Sequence, residues 1–207
     1  MGCTDSVQLP QHFLDFSSWP SQKVSALIKA YVDGEYDYGI DHTVVMALTG
    51  FSLESSKVLI KALSRGDGIV INATSFLTAV IMLSEPNRRQ EFNQLNLIFE
   101  VFDFSMSGAL TFDEFSMMLL MVASTQALII DLPNQIPNDE TIINISNAMF
   151  NAIGKNKSST ITLVEVCNLF KEYFSSHGQI CIDQIFDRFC MGTSCLEWPV
   201  DDEEEKK

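Results

Sequence analysis

Residues 103–114 read Asp-Phe-Ser-Met-Ser-Gly-Ala-Leu-Thr-Phe-Asp-Glu, a spacing of oxygen donors that suits a hard divalent cation. Calcium takes six to eight oxygens, and a twelve-residue loop can supply them from positions 1, 3, 5, 7, 9 and 12. Here those positions hold Asp103, Ser105, Ser107, Ala109 (through its backbone carbonyl), Thr111 and Glu114. Gly108 stands at position 6, where the chain must turn sharply. Leu110 at position 8 is the apolar residue expected to enter a short strand paired with a second loop. Two carboxylates among six ligating positions predict a modest affinity, in the range of about 10⁻⁶–10⁻⁴ M. The competing reading is a helix–turn–helix in which Asp and Ser only cap the second helix. It leaves Gly108, Leu110 and Glu114 without a role.

The flanking residues supply the helices that would hold such a loop. Leu95, Ile98, Phe99 and Phe102 recur at helical spacing before it, and Phe115, Met118, Leu119 and Val122 after it. One such unit leaves an apolar face uncovered, so partners are expected. Aligned on the apolar eighth position, three more appear. Loop 154–165 has Ile161 at position 8 and Glu165 at 12, but Gly154 at 1 and Ser159 at 6. Lys155 and Lys157 add positive charge, and the loop reads chiefly as a structural partner of loop 103–114. Loop 64–75 keeps Ile71 but has Ser75 at position 12 and Asp67 as its sole carboxylate, so it reads as silent. Loop 33–44 places Asp33, Glu35, Asp37 and Asp41 at positions 1, 3, 5 and 9. Tyr38 replaces the glycine at 6 and Val44 the carboxylate at 12, and the entering helix breaks pattern at Lys29. It is either a weak, distorted cation site or a solvated acidic turn.

This pattern resembles a four-loop member of the EF-hand superfamily over roughly residues 20–175. The resemblance implies an all-α fold of paired helix–loop–helix units in two lobes, with very short loop strands. A long gap before the last loop and a lipidation-like N-terminus are similar to neuronal calcium sensors and calcineurin B-like proteins. The first loop lacks the Cys-Pro of the neuronal sensors, and the second has lost its ligands. Eroded loops of this kind also occur in EF-hand proteins built into cilia and flagella. Helices are expected near 21–32, 42–49, 53–63, 72–83, 87–102, 112–124, 140–153, 163–175 and 180–190. An N-terminal arm (1–20), two loop pairs (21–84 and 85–175) and a C-terminal helix with an acidic tail (176–207) follow. Pro133 and Pro137 mark an irregular connector.

Composition narrows the partners. A chain of 207 residues, 46% of them apolar, has enough core to fold without staples. A formal charge of −14 argues against nucleic acid and favours cations or basic, amphipathic target helices. Five cysteines without a C-x-x-C pair point to reduced thiols and a cytoplasmic setting. His177, Cys181, Cys190 and Cys195 do not match the paired spacing of zinc knuckles. No apolar run approaches the roughly 18 residues of a membrane span. Met1-Gly2-Cys3-Thr4-Asp5-Ser6 fits N-myristoylation at Gly2, with Cys3 as a palmitoylation site beside it. Two acyl chains would anchor the protein where one binds only marginally. Met117, Met118 and Met121 suit either plain core or a groove for varied apolar anchors. The chain lacks a nucleophile–base motif, a phosphate-binding glycine loop and an H-E-x-x-H, so a non-enzymatic role is expected.

Overall fold

The computed structural model describes residues 13–64, 68–84, 91–129 and 137–174. Within them the chain is mainly helical, with two pairs of three-residue antiparallel strands. Four helix–strand–helix units follow a short first helix, α1 (Leu14–Ser17). They are α2 (Ser21–Asp33), β1 (Gly39–Asp41) and α3 (His42–Thr49); α4 (Leu53–Leu63), β2 (Val70–Asn72) and α5 (Ala73–Leu83); α6 (Glu91–Phe102), β3 (Ala109–Thr111) and α7 (Phe112–Ile129); and α8 (Asp139–Ala152), β4 (Thr160–Thr162) and α9 (Leu163–Phe174). Strand β1 pairs with β2 and β3 with β4. In a three-residue strand only the middle side chain can point inward. Those residues are Ile40 opposite Ile71 and Leu110 opposite Ile161, all buried. The apolar eighth position of each loop therefore ties two loops together.

One device starts every helix that leaves a strand. The last strand residue turns its side-chain oxygen onto the backbone N–H groups of the first helical turn, which have no partner within the helix. Asp41 accepts from Thr43 and Val44, and Asn72 from Thr74 and Ser75. Thr111 accepts from Glu114 and Thr162 from Glu165.

Helices α5 and α7 form the centre. Both are apolar around most of their circumference, which demands cover on every side. Helix α5 buries Phe76, Leu77, Val80 and Ile81, and α7 buries Phe115, Met118, Leu119 and Val122. They pack on each other, and the apolar core runs unbroken through both halves of the chain. The two lobes expected from the loop pairing thus share one interior. Ser75 reaches across from α5 to donate to the Met121 sulfur at 3.2 Å.

Three departures from the sequence reading have physical causes. Helix α7 runs to Ile129, past the expected end at 124, because Ala123, Ser124, Thr125, Gln126 and Ala127 are all buried beside α5 and α8. At 18 residues and a mean hydropathy of 1.2 it is long and apolar enough to cross a membrane, correcting the expectation that no segment is. In the structure 61% of it is buried by the rest of the chain. Helix α2, by contrast, runs through Lys29 to Asp33 much as the expected span 21–32 has it, with Lys29 exposed. Residues 13–19, assigned to the N-terminal arm, bury Phe13, Phe16 and Trp19. Phe16 meets Trp19 with ring centroids 5.0 Å apart and Phe51 at 5.2 Å, and the Lys23 ammonium lies 3.6 Å above the Trp19 ring. The boundary residues Glu85 and Pro86, Pro133 of the connector and the helix expected at 180–190 lie outside the described residues.

Candidate metal centre

Loop 103–114 grows directly out of α6. Asp103 continues the helical bonding, donating its backbone N–H to the Phe99 carbonyl at 3.0 Å. The chain then turns back through two residues in the left-handed region, Met106 (φ 52°) and Gly108 (φ 76°). A side chain at 108 would meet nothing within 4 Å, so the glycine answers a backbone requirement rather than a steric one. This reversal wraps the loop around the Asp103 carboxylate. Oδ1 accepts from the Ser107 backbone at 2.9 Å and from the Ser105 hydroxyl at 3.3 Å, with the Ser107 hydroxyl oxygen 3.4 Å away. Oδ2 accepts from the Gly108 backbone at 2.7 Å. The Ser107 hydroxyl donates to the Ala109 carbonyl at 2.8 Å. Four of the six expected ligating residues, at positions 1, 3, 5 and 7, therefore form one bonded cluster of oxygens.

The other two form a second group at the start of α7. Oε2 of Glu114 accepts from the Thr111 backbone N–H and from the Thr111 hydroxyl, each at 2.8 Å. Together with the return bond from the Glu114 N–H to Thr111 Oγ1, this is a reciprocal capping box. The Thr-x-x-Glu pattern, a capping signal that the sequence reading passed over, gives Glu114 a structural role that does not require a cation. The donor set remains chemically suited to calcium, since carboxylate, hydroxyl and carbonyl oxygens are all hard ligands. Among the described residues no three His, Cys, Asp or Glu side chains cluster for metal binding; of the three carboxylates in this loop only Asp103 and Glu114 stand at ligating positions.

Loop 33–44 is built differently. Asp41 is committed to capping α3, and the Val44 and Thr43 N–H groups hold its carboxyl below the ordinary range, the Val44 bond contributing most. Asp33 is the last residue of α2, and Glu35 adopts φ 49°. The Tyr31 hydroxyl, its pKa raised mainly by burial and further by nearby Tyr38 and Asp37, donates to the Asp37 backbone carbonyl at 3.2 Å. Asp33, Glu35 and Asp37 all have exposed side chains. Their arrangement matches the solvated acidic turn more closely than a closed cage. Tyr38 instead packs edge-on against Phe104 of the third loop, with centroids 6.0 Å apart.

Loop 154–165 repeats the capping box. Oε2 of Glu165 accepts from the Thr162 N–H at 2.8 Å and its hydroxyl at 2.9 Å. Asn156 Oδ1, at position 3, accepts from the Ser158 backbone and from the Ser158 and Ser159 hydroxyls. The Lys155 ammonium closes the loop, 2.6 Å from each Glu165 oxygen and 2.7 Å from the Thr160 carbonyl. The sequence reading noted Lys155 only as local positive charge. Lys157 leans the other way, its ammonium 5.2 Å from the Phe112 ring of α7.

The methionines of α7 divide. Met118 is buried and Met117 is 42% exposed, while Met121 lines a cleft of about 270 Å³ between β2 and α7. Leu63, Ile71, Ser124 and Leu128 share that wall, which holds no titratable group. The lipidation candidates Gly2 and Cys3, the residues His177, Cys181, Cys190 and Cys195, the acidic tail and Asp67 lie outside the described residues. Cys167 is a buried thiol of α9. No protein-family model matches this sequence, and no curated protein matches it.

Proposed function

We propose that this chain is a calcium-binding regulator or adaptor of the EF-hand type, without enzymatic activity, whose one competent cation site is loop 103–114. The observation that carries the reading is the cluster around Asp103. Its carboxylate, two serine hydroxyls and a backbone carbonyl converge on a loop reversed at Gly108 and tied through Leu110 to a second loop of the same shape. Asp103, Ser105, Ser107, Ala109 and Thr111 would supply oxygens, and Glu114 would close the cage on leaving Thr111. The bound ion would draw the start of α7 toward α6. A target protein with a basic or amphipathic helix suits the −14 charge, and the cleft beside Met121 suits an apolar anchor. Lipidation at Gly2 and Cys3 would bring the complex to a membrane; intact-mass measurement of the native protein reads it directly.

Isothermal titration with CaCl₂ tests the site. One binding event in the micromolar range or weaker, abolished or weakened at least tenfold by Glu114→Gln, is the expected result. Unchanged binding in the variant rejects the assignment. A second reading is a calcium-independent structural EF-hand protein of a cytoskeletal, ciliary or flagellar assembly. It is favoured by the capping box that already employs Glu114, and by an interior shared between the halves. Pull-down of targets with and without chelator separates the two, because a sensor must bind its target differently in its two states.

A further inference from the structure

The ammonium of Lys155 stands among groups that a cation would use. Counted from Gly154, the Thr160 carbonyl is at position 7 and the Glu165 carboxylate at position 12 of the loop. In a twelve-residue calcium loop these are two of the ligating positions. Lys155 Nζ reaches both Glu165 oxygens at 2.6 Å and the Thr160 carbonyl at 2.7 Å, short charge-assisted contacts. The remaining side-chain donors, Asn156, Ser158 and Thr162, are neutral, so an external ion would depend on the same Glu165 carboxylate that Lys155 holds. Gly154 has no side chain at position 1, and the Asn156 oxygen is turned onto Ser158 and Ser159. Loop 154–165 thus balances its single carboxylate with an internal ammonium, or two counting Lys157, whereas loop 103–114 has two carboxylates at its ligating ends, Asp103 and Glu114, and no basic residue.

We propose that Lys155 is a tethered surrogate cation, which holds loop 154–165 in its cation-bound form and excludes a divalent ion from it. The inference rests on the reading of these segments as paired cation loops. Its consequence is that β4 is presented to β3 at every calcium concentration. Calcium then fills one site per chain without cooperativity between the loops. The tether is intramolecular, so calcium chelation cannot remove it. Both side chains are partly shielded, at 25% and 34% exposure, so solvent screening weakens the pair without abolishing it. The Lys155 hydrogen bond is also the largest reason that the Glu165 carboxyl is held below the ordinary carboxylate range.

Two measurements on the full chain decide the matter. The first is proton–nitrogen NMR of the lysine ammonium groups in EGTA. One slowly exchanging ammonium signal is expected, absent from Lys155→Met and lost in Glu165→Gln; its absence from the wild-type chain overturns the proposal whether or not loop 103–114 binds calcium. The second adds CaCl₂ to about 5 mM, enough to fill weak loops, in a Glu114→Gln background where the other loop is disabled. Amides of 154–165 should stay in place in that background and shift once Lys155→Met is added. Shifts in Glu114→Gln alone mean that calcium displaces the ammonium. No shift in the double variant means that Lys155 is not what excludes the ion. Either result sinks the proposal, while failure of the calcium reading itself shows separately, as a wild-type chain that gives no titration signal.

Discussion

Replacing Glu114 by glutamine and, separately, by alanine divides the two jobs open to this residue. Its Oε2 accepts from the Thr111 N–H and hydroxyl, both at 2.8 Å. Glutamine keeps an oxygen that can take the backbone bond, as Thr-x-x-Gln capping boxes do; alanine keeps neither bond. An exposed hydrogen bond contributes about 0.5–1.5 kcal/mol net. Glu114→Ala should therefore cost about 1–2 kcal/mol in EGTA, and Glu114→Gln less than about 0.5 kcal/mol. At this chain length 1 kcal/mol moves Tm by about 2–4 °C, so alanine lowers it by roughly 3–6 °C and glutamine barely moves it. Calcium changes the ranking. At about a hundredfold excess over Kd the ion adds about 2.7 kcal/mol to the wild-type chain, a rise of roughly 5–10 °C. Both variants lose the bidentate carboxylate, so at least about 1.4 kcal/mol of that gain disappears, corresponding to tenfold weaker binding. Melting curves of the three proteins, with and without CaCl₂, read both effects. A glutamine variant that keeps the full calcium-induced rise refutes the metal assignment. An alanine variant that melts with the wild type in EGTA refutes the capping role.

Three further outcomes follow from named contacts. Trp19→Ala opens a void between Phe16 and Phe51 and should cost about 3–5 kcal/mol, measured by urea denaturation; a loss below about 1 kcal/mol would place residues 13–19 outside the folded unit. Gly108→Ala imposes φ 76° on a residue with a Cβ and should cost about 1–2 kcal/mol, with weakened calcium binding; a neutral effect in both assays would contradict the reversal at 108. Asp41 and Glu165 both have folded-state carboxyls below their ordinary range, Asp41 mainly through the Val44 N–H and Glu165 mainly through Lys155. Their contribution is fully present above the unfolded-state value, and it is lost as pH falls through the depressed folded value. Calcium-free stability should fall on acidification below about pH 4.5, and less steeply in Asp41→Asn or Lys155→Met. An identical pH slope in all three proteins would show that these bonds are not linked to folding.

Much of the frame was legible because it depends on local periodicity. Positions of apolar residues fixed the helices flanking each loop, and the eighth positions, Ile40, Ile71, Leu110 and Ile161, are the residues that meet in the strand pairs. What escaped depends on contacts distant in sequence or on a choice between partners. The burial of α7 through Ile129 requires α5 and α8 to be in place, and the spacing of Ser124, Thr125 and Gln126 alone looks polar enough to end a helix. Phe13, Phe16 and Trp19 looked like an arm because they precede the first long helix, yet all three are buried and Phe51 meets Phe16 and Trp19. Lys155 is the instructive miss. A positive charge in a sparsely acidic loop argues against an ion only until the flexible stem is seen to carry its ammonium onto the carboxylate.

The two capping boxes give both loops a structural footing that needs no ion. Helices α7 and α9 need an acceptor for their first-turn N–H groups, and Thr111 with Glu114, or Thr162 with Glu165, meets that need without an ion. On the proposed reading, calcium at loop 103–114 must then displace two hydrogen bonds before gaining the Glu114 carboxylate. That cost, about 1–2 kcal/mol from the bonds themselves, would weaken binding by roughly tenfold relative to a loop whose Glu is unengaged. The same competition separates the two loops. At 154–165 the ammonium takes the carboxylate while the capping bonds remain, because Glu165 Oε2 serves Thr162 and Lys155 together. An ammonium can share an oxygen in this way, since it asks only for hydrogen-bond acceptors. A bidentate calcium would claim both oxygens of Glu114, so a Thr111→Ala chain, lacking the hydroxyl donor, should bind calcium no more weakly than wild type despite losing one candidate ligand. Titration of that variant would show whether the cap opposes the cage: a several-fold loss of affinity would make Thr111 a ligand first and a competitor second.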